Sequence, residues 1–392
     1  MPLWFSFQHE EHEGYTKDTK NAGEGAGGPG RCMTDATQPP PRPRLACLRV
    51  DHTAIVENWR YFRKTAPSAA VAAVVKADGY GLGAIAASRA LAGAGARVFF
   101  TATSAEALAV RKALGEGPQV FVLNGALPDD ADMLLGAKLT PVLSSLDQIK
   151  LWDARGPAGL HIDTGMNRLG LGPEELTPAM VALKGATLAL VMSHLACASE
   201  PPHEKNAIQL KRFIDAATLF PKAPLSLAST GGILIGPEYH FDLVRPGIGL
   251  YGHGGLDANN PQLSVAATIE APILQVRDVE AGETFGYGAT FTAPQKMRTA
   301  TVALGYADGY LRSLSGRGYG FFAGAKRAML GRVSMDLVIL DVTGCAEAQP
   351  GAMVEFLGPN APLEEIAALA GTAPYEVLTT FAGTVRKTGR RS

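Results

Sequence analysis

The stretch Val71-Ala72-Ala73-Val74-Val75-Lys76-Ala77-Asp78-Gly79-Tyr80-Gly81-Leu82-Gly83 sets five small or branched apolar residues against a lysine and a glycine cluster. An apolar run stopped in this way has the pattern of a fully buried parallel strand. A lysine where such a strand ends must either extend its ammonium to water or work with a shifted pKa. From this stretch alone the snorkelling lysine is the simpler reading, and only the rest of the chain can overturn it.

Outward from Lys76, strand-like apolar runs alternate with helical ones. Strands are expected near 71–76, 97–101, 119–123, 140–143, 158–162, 188–193, 225–228 and 241–244. Helices lie between them, among them 104–113, N-capped by Ser104 with Glu106 in its first turn, and 203–219. Eight strands interleaved with helices give an α/β class, a (β/α)8 TIM-type barrel rather than an open sheet, over residues 45–255. Leu45 to Val50 reads as a strand and Thr53 to Lys64 as a helix beginning after Asp51. That leading strand is one too many for the barrel and should pair elsewhere. After residue 255 the helical period gives way to short strands, Val265 to Glu270, Ile273 to Val279, Thr299 to Leu304, Val333 to Leu340 and Met353 to Leu357, with only 362–380 helical. Residues 256–392 therefore read as a mostly-β C-terminal domain.

Residues 1–44 are rich in glycine, proline and charge without apolar period, and read as a disordered N-terminal extension. Gly23, Gly25 and Gly28 match G-x-G-x-x-G, but with no strand before them or helix after them they carry no dinucleotide reading. Met33 is a candidate start, and deleting residues 1–32 should leave activity unchanged. Across all 392 residues the net charge is −1, so no bulk attraction to nucleic acid or anionic membrane is expected. The basic end, Arg386, Lys387, Arg390 and Arg391, reads as a solvated tail. Cys32, Cys47, Cys197 and Cys345 are too scattered for a zinc site or a disulfide framework, which fits a reducing, cytoplasmic setting. No apolar run reaches the ~18 residues that span a bilayer.

Barrel chemistry gathers at the C-terminal ends of the strands. Lys76 ends the first strand; His161, Asp163 and Arg168 end or follow the fifth; His194 ends the sixth. Ser229 and Thr230 end the seventh and Arg245 the eighth. The loops after the last two, Ser229-Thr230-Gly231-Gly232 and Pro246-Gly247-Ile248-Gly249, offer hydroxyls and glycine-freed N–H groups suited to phosphate. A phosphate site opposite a strand-end lysine, with an arginine between, suggests pyridoxal phosphate: its aldehyde would condense with a desolvated Lys76, and Arg245 would face the pyridine nitrogen. Singly, Arg168 reads as a surface arginine, His194 as a satisfied core histidine and Gly247 as a turn. Their common location is the argument for a site.

Six segments carry a family resemblance, in order and across both domains. Val75 to Gly83 resembles the cofactor-lysine motif of alanine racemases, and Asp163-Thr164-Gly165-Met166-Asn167-Arg168-Leu169-Gly170 and Val244 to Gly252 resemble two further motifs of that family. Gly286-Tyr287-Gly288-Ala289-Thr290-Phe291 is similar to the family's catalytic tyrosine motif, and Gly305 to Gly309 and Gly331 to Asp336 resemble two more. The resemblance implies L-alanine/D-alanine interconversion through a pyridoxal phosphate Schiff base, with Lys76 and Tyr287 as acid and base on opposite faces. It also implies that Tyr80, Thr230, Gly247 and Ile248 hold the phosphate, that Arg168 and the Met335 N–H hold the substrate carboxylate, and that Tyr306 sits near the mouth. A chain from Tyr287 through His194 to Arg245 would stabilise the phenolate. Family members are homodimers with shared sites, so Tyr287, Tyr306 and Met335 would come from the partner, and the product would serve peptidoglycan. Two positions depart from the pattern. His161 stands where many relatives carry a lysine, often carbamylated, so chloride or another acid is expected to orient Arg168. Gly383 stands where some relatives place a phosphate-binding tyrosine. The competing readings are a broader-specificity racemase and a non-catalytic pyridoxal phosphate carrier.

Overall fold

The computed structural model describes residues 46–254 and 262–385; the readings of residues 1–44, of Met33 and of the basic tail fall outside the described residues. After a first strand, β1 (Cys47–Val50), the run around Val71 forms two short strands, β2 (Ala70–Val71) and β3 (Ala73–Val74), divided at Ala72. There follow β4 (Val98–Thr101), β5 (Gln119–Val122), β6 (Thr140–Leu143), β7 (Ala158–His161), β8 (Leu188–Met192), β9 (Leu225–Ser226) and β10 (Leu243–Val244).

The division at Ala72 closes the barrel. β3 pairs with β4 and continues as a parallel sheet in chain order to β9, whereas β2 turns to pair in parallel with β10. Backbone bonds from Asp242 N to Leu225 O (3.1 Å) and Arg245 N to Ala228 O (2.9 Å) join β9 to β10. Strands covered on both faces have no solvent side, which is why Val71 to Val75 is apolar throughout and wholly buried.

The helices start where side-chain caps allow. His52–Thr65 is capped by Asp51 Oδ1, which accepts from Thr53 N (2.8 Å) and Ala54 N (3.0 Å). Ser104–Leu114 is capped by Thr103, not by Ser104 as expected, because Thr103 has the three-residue spacing to Glu106 that a capping box needs. Glu204–Ala217 follows His203, whose ring accepts from Lys205 N.

The C-terminal half comprises β11 (Ala267–Val279), β12 (Thr284–Phe285), β13 (Phe291–Thr292), β14 (Met297–Val302), β15 (Tyr319–Phe322), β16 (Ala325–Ala328), β17 (Val338–Asp341) and β18 (Met353–Leu357). Two expected strands on either side of Pro272 are one, since register shifts on both sides of the proline let β11 run through it. The sheet order is β16-β15-β18-β11-β14-β17, all neighbours antiparallel. The strand surplus to the barrel, β1, also pairs antiparallel with β11. The expected helix 362–380 is two, Leu363–Ala370 and Pro374–Thr384. Gly371, left-handed at φ 72°, ends the first and Pro374 opens the second. The architecture is a TIM-type barrel followed by a β domain.

Candidate active site

Lys76 lies two residues past β3 at the C-terminal mouth of the barrel. The four residues after it are all left-handed: Ala77 (φ 53°), Asp78 (φ 50°), Gly79 (φ 63°) and Tyr80 (φ 56°). For residues with a side chain that conformation costs about 1–2 kcal/mol each. Local bonds offset the cost. Asp78 Oδ1 accepts from Ala84 N (2.9 Å), Gly81 N donates to Ala77 O (2.8 Å), and Ala77 N donates to Glu106 Oε1 (2.7 Å). Backbone strain of this kind concentrates where side chains must be aimed. Burial lowers the Lys76 pKa from its usual 10.5; Arg168 and Arg245 add to the effect, and the Glu106 carboxylate opposes it.

The turn delivers Lys76 and Tyr80 to a cavity of about 530 Å³ that they line together with His161, Arg168, His194, Thr230, Arg245, Gly247 and Ile248. At one end Thr230 Oγ1 accepts from Gly247 N (3.0 Å) and Gly249 N (3.2 Å), which leaves its own proton to donate. Burial raises the Tyr80 phenol pKa, so this hydroxyl too is a donor. A β-carbon on Gly247 would fall 2.2 Å from Tyr80 Oη, so the hydroxyl and the loop backbone share one cradle. An anion with several oxygens fits these donors.

Further in, Arg245 is buried, with no carboxylate partner among the described residues. Its guanidinium donates to Ser226 Oγ, Ser193 O (2.7 Å) and Leu227 O (3.3 Å). Burial pulls its pKa down to about 9, still cationic near neutrality. His194 is driven well below 6.5 by burial and then by Arg245, Arg168, His161 and Lys76, and is a neutral imidazole. The hydrogen bonds of Arg245 end on serines and carbonyls and not on the His194 ring, so the two meet only through their fields. His161, 7% exposed, is lowered to about 4 by burial, Arg245 and Arg168 against Asp163. The Asp163 carboxylate is taken up by the turn that leads to Arg168, accepting from Gly165, Met166 and Asn167 N–H at 2.8–2.9 Å.

Sequence profiles of known families match both halves of the chain: the alanine racemase N-terminal domain at residues 50–254 and the alanine racemase C-terminal domain at residues 266–388. The chain belongs to the alanine racemase family. It is 45% identical over 348 residues to the alanine racemase of Rhodospirillum rubrum, covering 85% of this chain and 93% of that one. It is 44% identical over 344 residues to the catabolic alanine racemase of Agrobacterium fabrum, covering 85% and 89%. The crystal structure of the Bartonella henselae alanine racemase with covalently bound pyridoxal phosphate superposes with a TM-score of 0.85, at 35% identity, over 89% of this chain and 99% of that chain.

Not all the residues singled out by the alanine racemase resemblance converge. Tyr287, Tyr306 and Met335 lie in the β domain and do not line the Lys76 cavity. They are 72%, 43% and 54% exposed. Tyr287 and Tyr306 line a separate hollow with Arg312 and Arg332. The Tyr306 and Met335 turns are bound together, Tyr306 N to Ser334 O (3.0 Å) and Ala307 N to Met335 O (2.9 Å). The proposed chain from Tyr287 through His194 to Arg245 is thus not assembled within a single copy.

Sequence reasoning also missed contributors. Gln209, fully buried on the helix Glu204–Ala217, donates to Thr164 Oγ1 (3.0 Å) and His194 O (2.9 Å) and accepts from Ala196 N (2.8 Å). It joins the Arg168 loop to the His194 strand end. Ser193 and Ser226, which hold Arg245, sit at strand ends and were open to the same logic as Thr230. Tyr375 also lines the cavity, its ring 6.3 Å from that of Tyr80; at Gly383 there is no side chain to do so.

Proposed function

We propose that this protein interconverts L-alanine and D-alanine with pyridoxal phosphate, as a homodimer whose two copies share each active site. The observation that carries the reading is the desolvated Lys76 in one cavity with the Tyr80–Thr230–Gly247 cradle, Arg168 and Arg245. The residues fit the cofactor: a β-carbon at position 247 would crowd the cradle's hydroxyl, and the donors there suit a phosphate.

When bound, pyridoxal phosphate supplies an aldehyde for covalent attachment and a conjugated ring that delocalises the electron pair left when the Cα proton departs. Lys76 would hold the cofactor, its lowered pKa making the nucleophilic amine available, and would then move a proton on one face. Tyr80, Thr230, Gly247 and Ile248 hold the phosphate. Arg245, cationic and reluctant to release its proton, would be the partner of the ring nitrogen and would leave it unprotonated. Arg168 holds the substrate carboxylate, joined by the backbone N–H of Met335 from the second copy. That N–H makes no hydrogen bond among the described residues. Tyr287 of the second copy, flanked by Tyr306, moves the proton on the opposite face; a phenol acting as a base near neutrality needs cationic surroundings, and the Arg245 and Arg168 guanidiniums in the cavity supply them. Tyr287 shares one hollow with Tyr306 and another with Leu337, and these large side chains, with Met335, are exposed, as suits residues that meet a partner.

Cytoplasmic location and delivery of D-alanine to peptidoglycan belong to the same proposal; among the described residues no helix is long and apolar enough to cross a membrane. The relative named catabolic supports a second reading, in which the same reaction feeds alanine breakdown. The test is racemisation of an amino-acid panel by wild type and Tyr287→Phe, with cofactor absorbance recorded. Wild type should act on alanine far better than on serine and hardly on lysine, and Tyr287→Phe should lose turnover while keeping the cofactor. Comparable rates on larger side chains would make it a broad racemase, and absorbance without turnover on any substrate would make it a carrier.

A further inference from the structure

Glu106 is a half-buried carboxylate that the reaction scheme leaves without a part. In a capping box such a glutamate accepts from the N-cap N–H, and here Oε2 does accept from Thr103 N, at 3.3 Å. That is the longest of its three bonds. Oε2 also accepts from Ala102 N at 2.8 Å, and Oε1 leaves the helix altogether to accept from Ala77 N at 2.7 Å. Ala77 follows Lys76 and is the first of the four left-handed residues; Ala102 follows the last residue of β4. One carboxylate therefore ties the peptide of the lysine to the end of the neighbouring barrel strand. A cap needs only the Thr103 bond.

We infer that Glu106 is a positioning residue for Lys76, fixing through Ala77 N–H the strained turn that aims the lysine and placing a negative charge on its side of the cavity. Among the described residues, the other ionisable groups that line the cavity with Lys76 are cationic or neutral: Arg168 from the loop after β7, Arg245 from the end of β10, His161 and His194 from β7 and β8, and the phenols of Tyr80 and Tyr375. Asp163 is occupied by its own turn. Of the charges acting on Lys76, that of Glu106 favours a protonated nitrogen, against both arginines. The inference rests on Lys76 as the cofactor lysine.

The experiment compares holoenzymes of wild type, Glu106→Gln, Thr103→Ala and the double variant Ala77→Gly/Glu106→Gln. Three quantities are read: the pH titration of bound-cofactor absorbance, the pH profile of kcat/KM, and the melting temperature. Glu106→Gln removes the charge and one acceptor, so kcat/KM should fall about tenfold, as expected for a lost charge-assisted bond. Its absorbance titration should move to lower pH. Thr103→Ala weakens the same helix cap and should lower the melting temperature while leaving the titration midpoint in place. Glycine at position 77 adopts the left-handed conformation without a side-chain cost, so the double variant should regain kcat/KM but keep the displaced midpoint. The double variant also carries the test if Glu106→Gln alone does not fold. An unmoved midpoint in the Gln variants, with a lowered melting temperature like that of Thr103→Ala, would reduce Glu106 to a cap and overturn the inference. Wild type that shows no cofactor absorbance would instead overturn the reading of Lys76.

Discussion

The Tyr80 hydroxyl occupies the space that a side chain at Gly247 would need, with an ideal β-carbon there only 2.2 Å from Oη. The two residues come from opposite ends of the barrel ring and are neighbours because β2 pairs with β10. Tyr80 has little room to retreat: it is buried, left-handed, and packed against Tyr251 with ring centres 5.0 Å apart. Gly247→Ala should therefore weaken cofactor binding by the cost of overpacking, about 1–3 kcal/mol. Tyr80→Phe in the same background should return part of that loss by removing the clashing atom, although it costs a donor. Absorbance titration of cofactor into the four proteins of this cycle measures the coupling. Strictly additive losses would mean that the hydroxyl and position 247 do not share the cradle.

Acid should weaken the fold through His161. Its folded pKa, about 4, lies below the ordinary 6.5, so between those values the unfolded chain binds more protons than the native one. Stability then rises with pH: the contribution is fully present above 6.5 and is lost as pH falls through about 4. The displacement corresponds to about 3 kcal/mol as an order of magnitude. Urea unfolding of His161→Gln across this range should show a shallower dependence on pH than wild type. The remaining slope belongs to groups such as His194, which burial shifts the same way. Identical slopes for the two proteins would show that His161 titrates normally.

Lys76, Thr230 and Arg245 were legible in the sequence because a barrel brings all its strand ends to one mouth, so strand-end position alone predicts proximity. The same logic reached His161 and His194. It did not reach Gln209 or Glu106, which sit on helices and act through partners up to 45 residues away that helical periodicity cannot name. In the β half, hairpins were the weak point. The pair β15–β16 and the two-residue strands β12 and β13 were not expected, because such short strands carry too few alternations to read. Position 287 was legible only as a motif; no local pattern says which cavity an exposed tyrosine serves.

A dependence on anions should follow from the setting of Arg168. It lines the cavity, and among the described residues no carboxylate pairs with it; Asp163, at the start of its own loop, already accepts from three backbone N–H groups. His161, neutral at physiological pH, supplies no negative charge. A small anion such as chloride should settle beside Arg168 and fix its orientation. Replacing chloride with a bulky organic anion at constant ionic strength should raise KM for alanine several-fold with less effect on kcat, since an Arg168 that holds the carboxylate, as proposed, would do so in ground and transition states alike. Kinetics indifferent to the kind and concentration of anion would rule this out.

The separation of Lys76 from Tyr287 makes the strongest prediction. One lines a cavity in the barrel and the other stands 72% exposed in a different hollow, so a single copy does not bring the two proposed proton-transfer groups together. Lys76→Ala and Tyr287→Phe homodimers should each be inactive, every site lacking one partner. If each site takes its lysine from one copy and its tyrosine from the other, as proposed, a mixed dimer carries both substitutions on one site and leaves the other wild type. Equal mixing with free exchange should then restore about a quarter of wild-type activity, as half the dimers are mixed and each has one intact site. Exchange is verified independently by differently tagged subunits. Verified mixed dimers without activity would place both proton-transfer groups in the same copy, and the exposure of Tyr287 would need another cause.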